Sequence, residues 1–202
     1  MKQPAPTLQP DAARDDRLAA YRDLLLRWNA TINLVAARSA ADVDRRHIAD
    51  CLQLVPLIPD AGVIADFGSG AGLPGLVIAA ALPERVLHLV ESDRRKAAFL
   101  VEAAATLGLG RVTVHARRIE QAAPPPCAVI TARALAPLDR LLAHAAPHLA
   151  PGGVCLLLKG RGAEDELTIA AAHWHFTAER FISRTDPEAT ILRLSEIRRA
   201  GH

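Results

Sequence analysis

Ten residues, Asp66-Phe67-Gly68-Ser69-Gly70-Ala71-Gly72-Leu73-Pro74-Gly75, lie between an apolar run that ends at Phe67 and an apolar stretch from Leu73 to Leu82. Strand, glycine turn and helix in that order bring main chain close to a nucleotide-like ligand, because a side chain at the turn would block the approach. Gly70, Gly72 and Gly75 keep the G-x-G-x-x-G spacing found in dinucleotide sites. A dinucleotide, however, puts its pyrophosphate at the helix N-terminus, where the dipole favours anions. Asp66 sets a carboxylate two residues before the first glycine and opposes that anion. S-adenosylmethionine has an ammonium, a sulfonium and an adenosine but no phosphate, so an acid at the strand end suits it. The turn therefore favours S-adenosylmethionine over NAD, with an NAD-dependent oxidoreductase as the alternative.

The rest of the chain sets this turn in an alternating pattern. Strand Val63–Phe67 and helix Leu73–Leu82 are followed by strand Val86–Glu91, helix Arg94–Leu107 and strand Val112–Ala116. After prolines 124–126 come strand Ala128–Thr131, helix Leu138–Leu149 and strand Val154–Leu158. Strands that read as continuous apolar runs and alternate with helices imply an α/β fold, a mostly parallel sheet covered on both faces. Phe176–Ser183 and Thr190–Ile197 predict a C-terminal antiparallel hairpin, an ending that separates a Rossmann-like methyltransferase sheet from the dinucleotide kind. Upstream, Leu18, Tyr21, Leu25 and Trp28 share one face of a helix over Asp11–Asn29, and Ile48, Leu52 and Val55 stripe a second over Ser39–Val55, with Ser39 as its N-cap. The expected organisation is a disordered tail over 1–10, a helical cap over 11–60 and a methyltransferase domain over 61–202, packed as one unit.

Composition narrows the function classes. Aromatics make up 3% of the 202 residues, so base-stacking platforms are not the main binding device. Cys51, Cys127 and Cys155 have no C-x-x-C spacing, which argues against zinc and against a disulfide framework. The N-terminus lacks the apolar segment of a secretory signal, and no charge-free apolar stretch is long enough to span a membrane. The expectation is a cytoplasmic protein with no membrane contact and no metal. The net charge is only +2, yet residues 85–140 carry 9 basic and 5 acidic side chains, a local basic region that could meet phosphates.

Ligands of such sheets bind at the carboxyl ends of the strands. The first strand end offers Asp66, Gly68 and Gly70. The second offers Glu91, 21 residues beyond Gly70, where an acid can accept both ribose hydroxyls. The third offers Ile119 and Glu120, a main-chain N–H and a carboxylate for the adenine edge. The fourth offers Arg133, a charge that is costly at a buried strand end unless it has a partner.

The segment after the fourth strand bears on the methyl acceptor. It reads ARALAPL (132–138), not the N/D-P-P-Y/F used to grip an exocyclic amine. Pro126-Cys127 precedes the strand, at the wrong end for a thiolate nucleophile. What remains is an acceptor that needs no activation, such as guanine N7, whose in-plane lone pair is exposed. Displacement from a sulfonium then needs mainly proximity and alignment, and no general base is identified. His144 and His148 have a metal-compatible i, i+4 spacing, but no carboxylate motif joins them.

DFGSGAGLPG, LVESDRRKAAFL (89–100), ARALAPL and LLLKGRGAEDEL (156–167), with WNATINLVA (28–36) and RHIADCL (46–52), resemble the ribosomal RNA small subunit methyltransferase G family, also called glucose-inhibited division protein B. The resemblance covers roughly residues 18 to 197. It implies a class I methyltransferase fold. It also implies transfer from S-adenosylmethionine to N7 of one guanine in the 530 loop of 16S rRNA, with the small ribosomal subunit as partner. By position it implies that Gly68 and Leu73 line the cofactor, that Ile119 and Glu120 hold the adenine, and that Arg133 stands at the methyl-transfer end. Cys51 replaces the serine usual in the family's R-H-x-x-D-S pattern. Arg46, His47, Lys159 and Arg161 are the expected phosphate contacts to RNA, and a monomer is expected. A non-catalytic rRNA assembly factor that binds S-adenosylmethionine is a further alternative.

Overall fold

The structure, a computed structural model, describes residues 2–36 and 42–201. Among the described residues eight strands form one sheet: β1 Gln3–Pro4, β2 Val63–Phe67, β3 Leu87–Val90, β4 Val112–His115, β5 Cys127–Arg133, β6 Leu149–Lys159, β7 Trp174–Ile182 and β8 Thr190–Arg199. Their order across the sheet is β1-β7-β8-β6-β5-β2-β3-β4. All neighbours are parallel except β8, which is inserted antiparallel between β6 and β7. The chain leaves β2 towards β3 and later returns to β2's other side as β5, so the strand order reverses at the carboxyl end of β2. That reversal opens the crevice in which ligands of such sheets bind.

Strand periodicity divides the core into two layers. Ile64 of β2 and Val129 of β5 pack with α1 (Ala12–Asn29), α3 (Gly75–Ala81) and α4 (Arg94–Thr106), through Tyr21, Leu76 and Phe99. Ala65, Phe67, Ile130 and Ala132 face α5 (Leu138–Ala145) and α6 (Ala163–Ala171), through Leu141, Leu142 and Leu167. Asp66, Thr131 and Arg133 alternate with the second set, so they point to the α1 and α3 side. Helix starts follow local chemistry: Asp11 accepts from the Arg14 N–H at 3.1 Å, and Asp93 accepts from those of Arg95 and Lys96 at 2.8 and 3.2 Å.

Several expectations are corrected. Residues 3–4 are not loose: they extend the sheet beside Phe181 and Ile182. Ala5 is buried there, and Arg184 donates to the Pro6 carbonyl and the Thr7 hydroxyl. The helix expected over Ser39–Val55 is a π-type turn, Asp44–Ile48, that runs into the short helix α2, Ala49–Leu52. Its expected N-cap Ser39 lies outside the described residues. Helix α3 starts at Gly75 rather than Leu73, after Pro74. Helix α5 ends at Ala145, and β6 begins at Leu149 rather than Val154, the junction being a 3-10 turn that contains Pro147. Proline has no N–H for the helical ladder, so the α-helix does not continue through it. Helix α6 is an addition that the apolar pattern did not disclose.

Candidate active site

The glycine turn is fastened from behind. Asp66 is fully buried, and its carboxylate accepts from the Gly75 N–H at 3.2 Å and from the Thr131 hydroxyl at 2.8 Å. Burial pushes its pKa up to about 6, against the opposing pull of those donors. This corrects its expected place at a cofactor: Asp66 does not line the cavity in front of the turn, and its oxygens serve protein donors. Gly75 permits the arrangement, because a Cβ there would lie 2.3 Å from Leu89 Cδ2 and 2.8 Å from Asp66 Oδ2. Its role is close helix–strand packing, as for the third glycine of such turns.

In front of the turn lies a cavity of about 490 Å³. Gly68, Gly70, Leu73, Glu91, Ile119, Glu120 and Arg133 all line it, so seven of the expected cofactor residues converge from four strand ends. Gly68 has φ +67°, a backbone conformation that side chains with a Cβ rarely adopt, so glycine is favoured there. Glu91 is mostly buried, accepting from the Gly70 N–H at 2.8 Å and from the Asp93 N–H at 2.8 Å. A carboxylate thus faces the turn amide that a dinucleotide's pyrophosphate would need. His144 Nδ1 stands 3.5 Å from Glu120 Oε1 at the adenine end expected from sequence.

Sequence reasoning missed the cap's share of this cavity. Leu34 lines it, and Asn29 positions that segment by accepting from the N–H groups of Leu34 and Val35 at 2.8 and 2.9 Å. An Asn as the last residue of a helix is the signal that could have disclosed the turn. Lys96, Arg117 and Arg118 also line the cavity and place part of the basic middle region at its rim.

Arg133 is the junction. It and Ala134 line the 490 Å³ cavity and also two neighbours of about 550 and 630 Å³. The backbone turns sharply after it, with Ala134 at φ 53°, a region uncommon for non-glycine residues. Arg133 Nη2 donates to His47 Nδ1 at 2.7 Å, and its Nη1 lies 3.6 Å from Asp50 Oδ2. Burial and the adjacent Arg133 charge lower the His47 pKa to about 4, which keeps the ring neutral and able to accept.

The four expected phosphate contacts separate. Arg46 and His47 line the 630 Å³ cavity beside Arg133. Lys159 lines the 550 Å³ cavity, but its ammonium donates to Glu166 Oε2 at 2.7 Å and to the Ala136 carbonyl at 3.2 Å. Glu166 also accepts from the Leu138 N–H at 2.7 Å, so the pair clamps the loop after Arg133. Arg161 is exposed and paired with Glu188. The three thiols are buried, which pushes Cys127 up to about 11 and Cys155 to about 12 and raises Cys51 as well, so none is a ready nucleophile. Among the described residues no group of three or more His, Cys, Asp or Glu could hold a metal ion, and no helix is long and apolar enough to cross a membrane.

Comparison with known proteins bears on this geometry. Residues 14–187 match the GidB family, described as rRNA small subunit methyltransferase G. Proteins named ribosomal RNA small subunit methyltransferase G from Acidiphilium cryptum and Rhodospirillum centenum are 58% and 55% identical, over 91% and 92% of this chain and 86% of each relative. Among solved structures, a putative class I S-adenosylmethionine-dependent methyltransferase from Listeria monocytogenes superposes with TM-score 0.63 at 12% identity, covering 92% of this chain and 69% of that one. The N-methyltransferase NodS from Bradyrhizobium japonicum, in complex with S-adenosyl-L-homocysteine, gives 0.59 at 16% identity over 90% and 99%. At such identities these two show the fold.

Proposed function

Since the chain belongs to the rRNA small subunit methyltransferase G family, we propose that it transfers the methyl group of S-adenosylmethionine to N7 of one guanine in the 530 loop of 16S rRNA. The observation that carries this is the convergence on Arg133: a nucleoside-sized cavity lined by the glycine turn, Glu91, Ile119 and Glu120 meets two further cavities at one guanidinium.

The residues present fit the cofactor. Glu91 offers carboxylate oxygens to ribose hydroxyls, Ile119 and Glu120 offer a main-chain donor and an acid to an adenine edge, and Gly68 allows close main-chain approach. When bound, the cofactor supplies an electrophilic methyl on a sulfonium. Guanine N7 has its lone pair available at neutral pH, so this chain's task is alignment and exclusion of water rather than proton removal. The Glu91 carboxylate on the Gly70 amide opposes a pyrophosphate and so disfavours the oxidoreductase reading.

Arg46 and the rim residues Lys96, Arg117 and Arg118 are the side chains proposed to meet RNA phosphates, in place of Lys159. The protein acts as a monomer in the cytoplasm, where its substrate is made. Labelled S-adenosylmethionine, incubated with small subunits from a strain lacking this activity, tests the reading. Label in 16S rRNA is expected; tight cofactor binding with no transfer favours a non-catalytic assembly factor and overturns it.

A further inference from the structure

Arg133 is held by two side chains from the helical cap, and we infer that His47 and Asp50 are positioning residues for it, fixing the guanidinium at the mouth shared by the cofactor and acceptor cavities. The inference rests on the functional reading above and deepens it. It also gives His47 a different task from the phosphate contact suggested by its residue type.

The geometry is specific. Arg133 leaves β5 on the same face as Asp66 and Thr131, towards the π-type turn and α2. A guanidinium has about five N–H donors and no acceptor. One donor meets His47 Nδ1 at 2.7 Å and a second group faces Asp50 Oδ2 at 3.6 Å, which leaves about three for a ligand. Arginine stays charged in proteins, so the imidazole must be the acceptor, with its proton on Nε2. An i-to-i+3 spacing puts His47 and Asp50 on one side of their short helical segment, which explains why both reach the same guanidinium.

Asp50 is itself immobilised. Its Oδ1 accepts from the Thr185 hydroxyl at 2.8 Å and from that of Ser183 at 3.3 Å. Gln53 bridges the same groups, donating to Ser183 Oγ at 3.2 Å while its Oε1 accepts from the Arg184 N–H at 2.6 Å. The clamp therefore ties three distant segments together: the cap, the end of β5 and the loop between β7 and β8. A guanidinium held from behind by two groups keeps its orientation while substrate enters, and alignment is what an acceptor without a general base requires.

A double-mutant cycle on the full chain tests this. His47→Ala and Asp50→Asn are each expected to lower kcat about tenfold, with the Kd for S-adenosylmethionine changed less than about threefold. His47→Asn, whose amide oxygen can stand near Nδ1, is expected to recover most of the loss. In an Arg133→Ala background neither change should lower kcat further, because the residue they position is gone. Additive losses, or no recovery with His47→Asn, would overturn the proposal. A readout independent of catalysis is the NMR titration of the His47 ring. It should remain neutral down to about pH 5 in the wild type and shift upward in Arg133→Ala. An unchanged titration overturns the clamp even if the wild-type chain methylates nothing, an outcome that would instead sink the functional reading.

Discussion

The hydroxyl of Tyr21 donates to the carbonyl oxygen of Ala71 at 2.6 Å, with both residues buried, so a polar contact ties the helical cap to the glycine turn. Tyr21 is the one tyrosine in the sequence, set in a helix face with Leu18, Leu24, Leu25 and Trp28. Burial raises its pKa well above the ordinary value, so the hydroxyl remains a donor across the working pH range. Tyr21→Phe keeps the ring packing against Phe99 and removes only the donor. An unsatisfied buried carbonyl costs about 1–3 kcal/mol. The variant should lose about that much in urea unfolding and bind S-adenosylmethionine severalfold more weakly. Unchanged cofactor affinity would show that the contact is structural alone.

Gly75→Ala sets two effects against each other. Alanine in a helix is ordinarily favoured over glycine by about 1 kcal/mol. Here the new Cβ would meet Leu89 Cδ2 at 2.3 Å and Asp66 Oδ2 at 2.8 Å. Overpacking of a close interface costs about 1–3 kcal/mol, and the clash should win. Thermal unfolding should show a lower Tm; a raised Tm would mean that α3 can move away from β3 at little cost.

Asp66 gives a pH signature. In the unfolded chain it titrates near about 3.9, and in the folded protein at about 6. Between those values the folded state holds the proton more tightly. This group's contribution to stability is therefore full below about pH 4 and is lost as pH rises through about 6. Asp66→Asn cannot ionise, while its amide can still accept from Gly75 and donate to Thr131. Urea unfolding at pH 4.5 and 7.5 should show the variant gaining on the wild type by about 2 kcal/mol at the higher pH. A difference independent of pH would mean that the carboxyl is not held as described.

Lys159 and Arg161 should behave differently although they are two residues apart. The Lys159 side chain is 11% exposed and sits on Glu166, whereas that of Arg161 is 79% exposed. Lys159→Ala leaves Glu166 without its cation and should cost about 1–3 kcal/mol, less than the loss from a fully buried pair. Arg161→Ala should stay within about 0.5 kcal/mol of the wild type. Equal losses in denaturant would contradict the assignment of Lys159 to the loop clamp.

Much of the lining of the candidate cavity was legible because strand ends are places the sequence marks. Gly68, Glu91, Ile119 and Arg133 each stand at or a few residues beyond the end of a strand, and parallel topology brings such ends together whatever the loop lengths. Asp66 was misplaced for a reason the sequence also contained. It alternates with Ala65 and Phe67, so it faces α3 rather than the cavity, and reading the period-2 register would have shown this. The pairing of Lys159 was not foreseen because its partner Glu166 lies on α6, a short helix whose stripe of Ala163, Leu167 and Ala170 is made mostly of alanine behind an acidic first turn. The contributions of Leu34, Asn29 and Tyr21 depend on how the cap docks onto the sheet, a tertiary relation that local periodicity does not contain.

The central claim is the identity of the acceptor atom. Small subunits lacking the modification, incubated with the protein and S-adenosylmethionine, should yield 16S rRNA whose nuclease fragments gain one methyl in the 530 loop, recovered by mass spectrometry as 7-methylguanosine. A methyl recovered on an exocyclic amine, on a pyrimidine carbon or on a ribose would contradict the account, which assigns the transfer to an acceptor with a free lone pair and gives the residues around Arg133 the task of alignment.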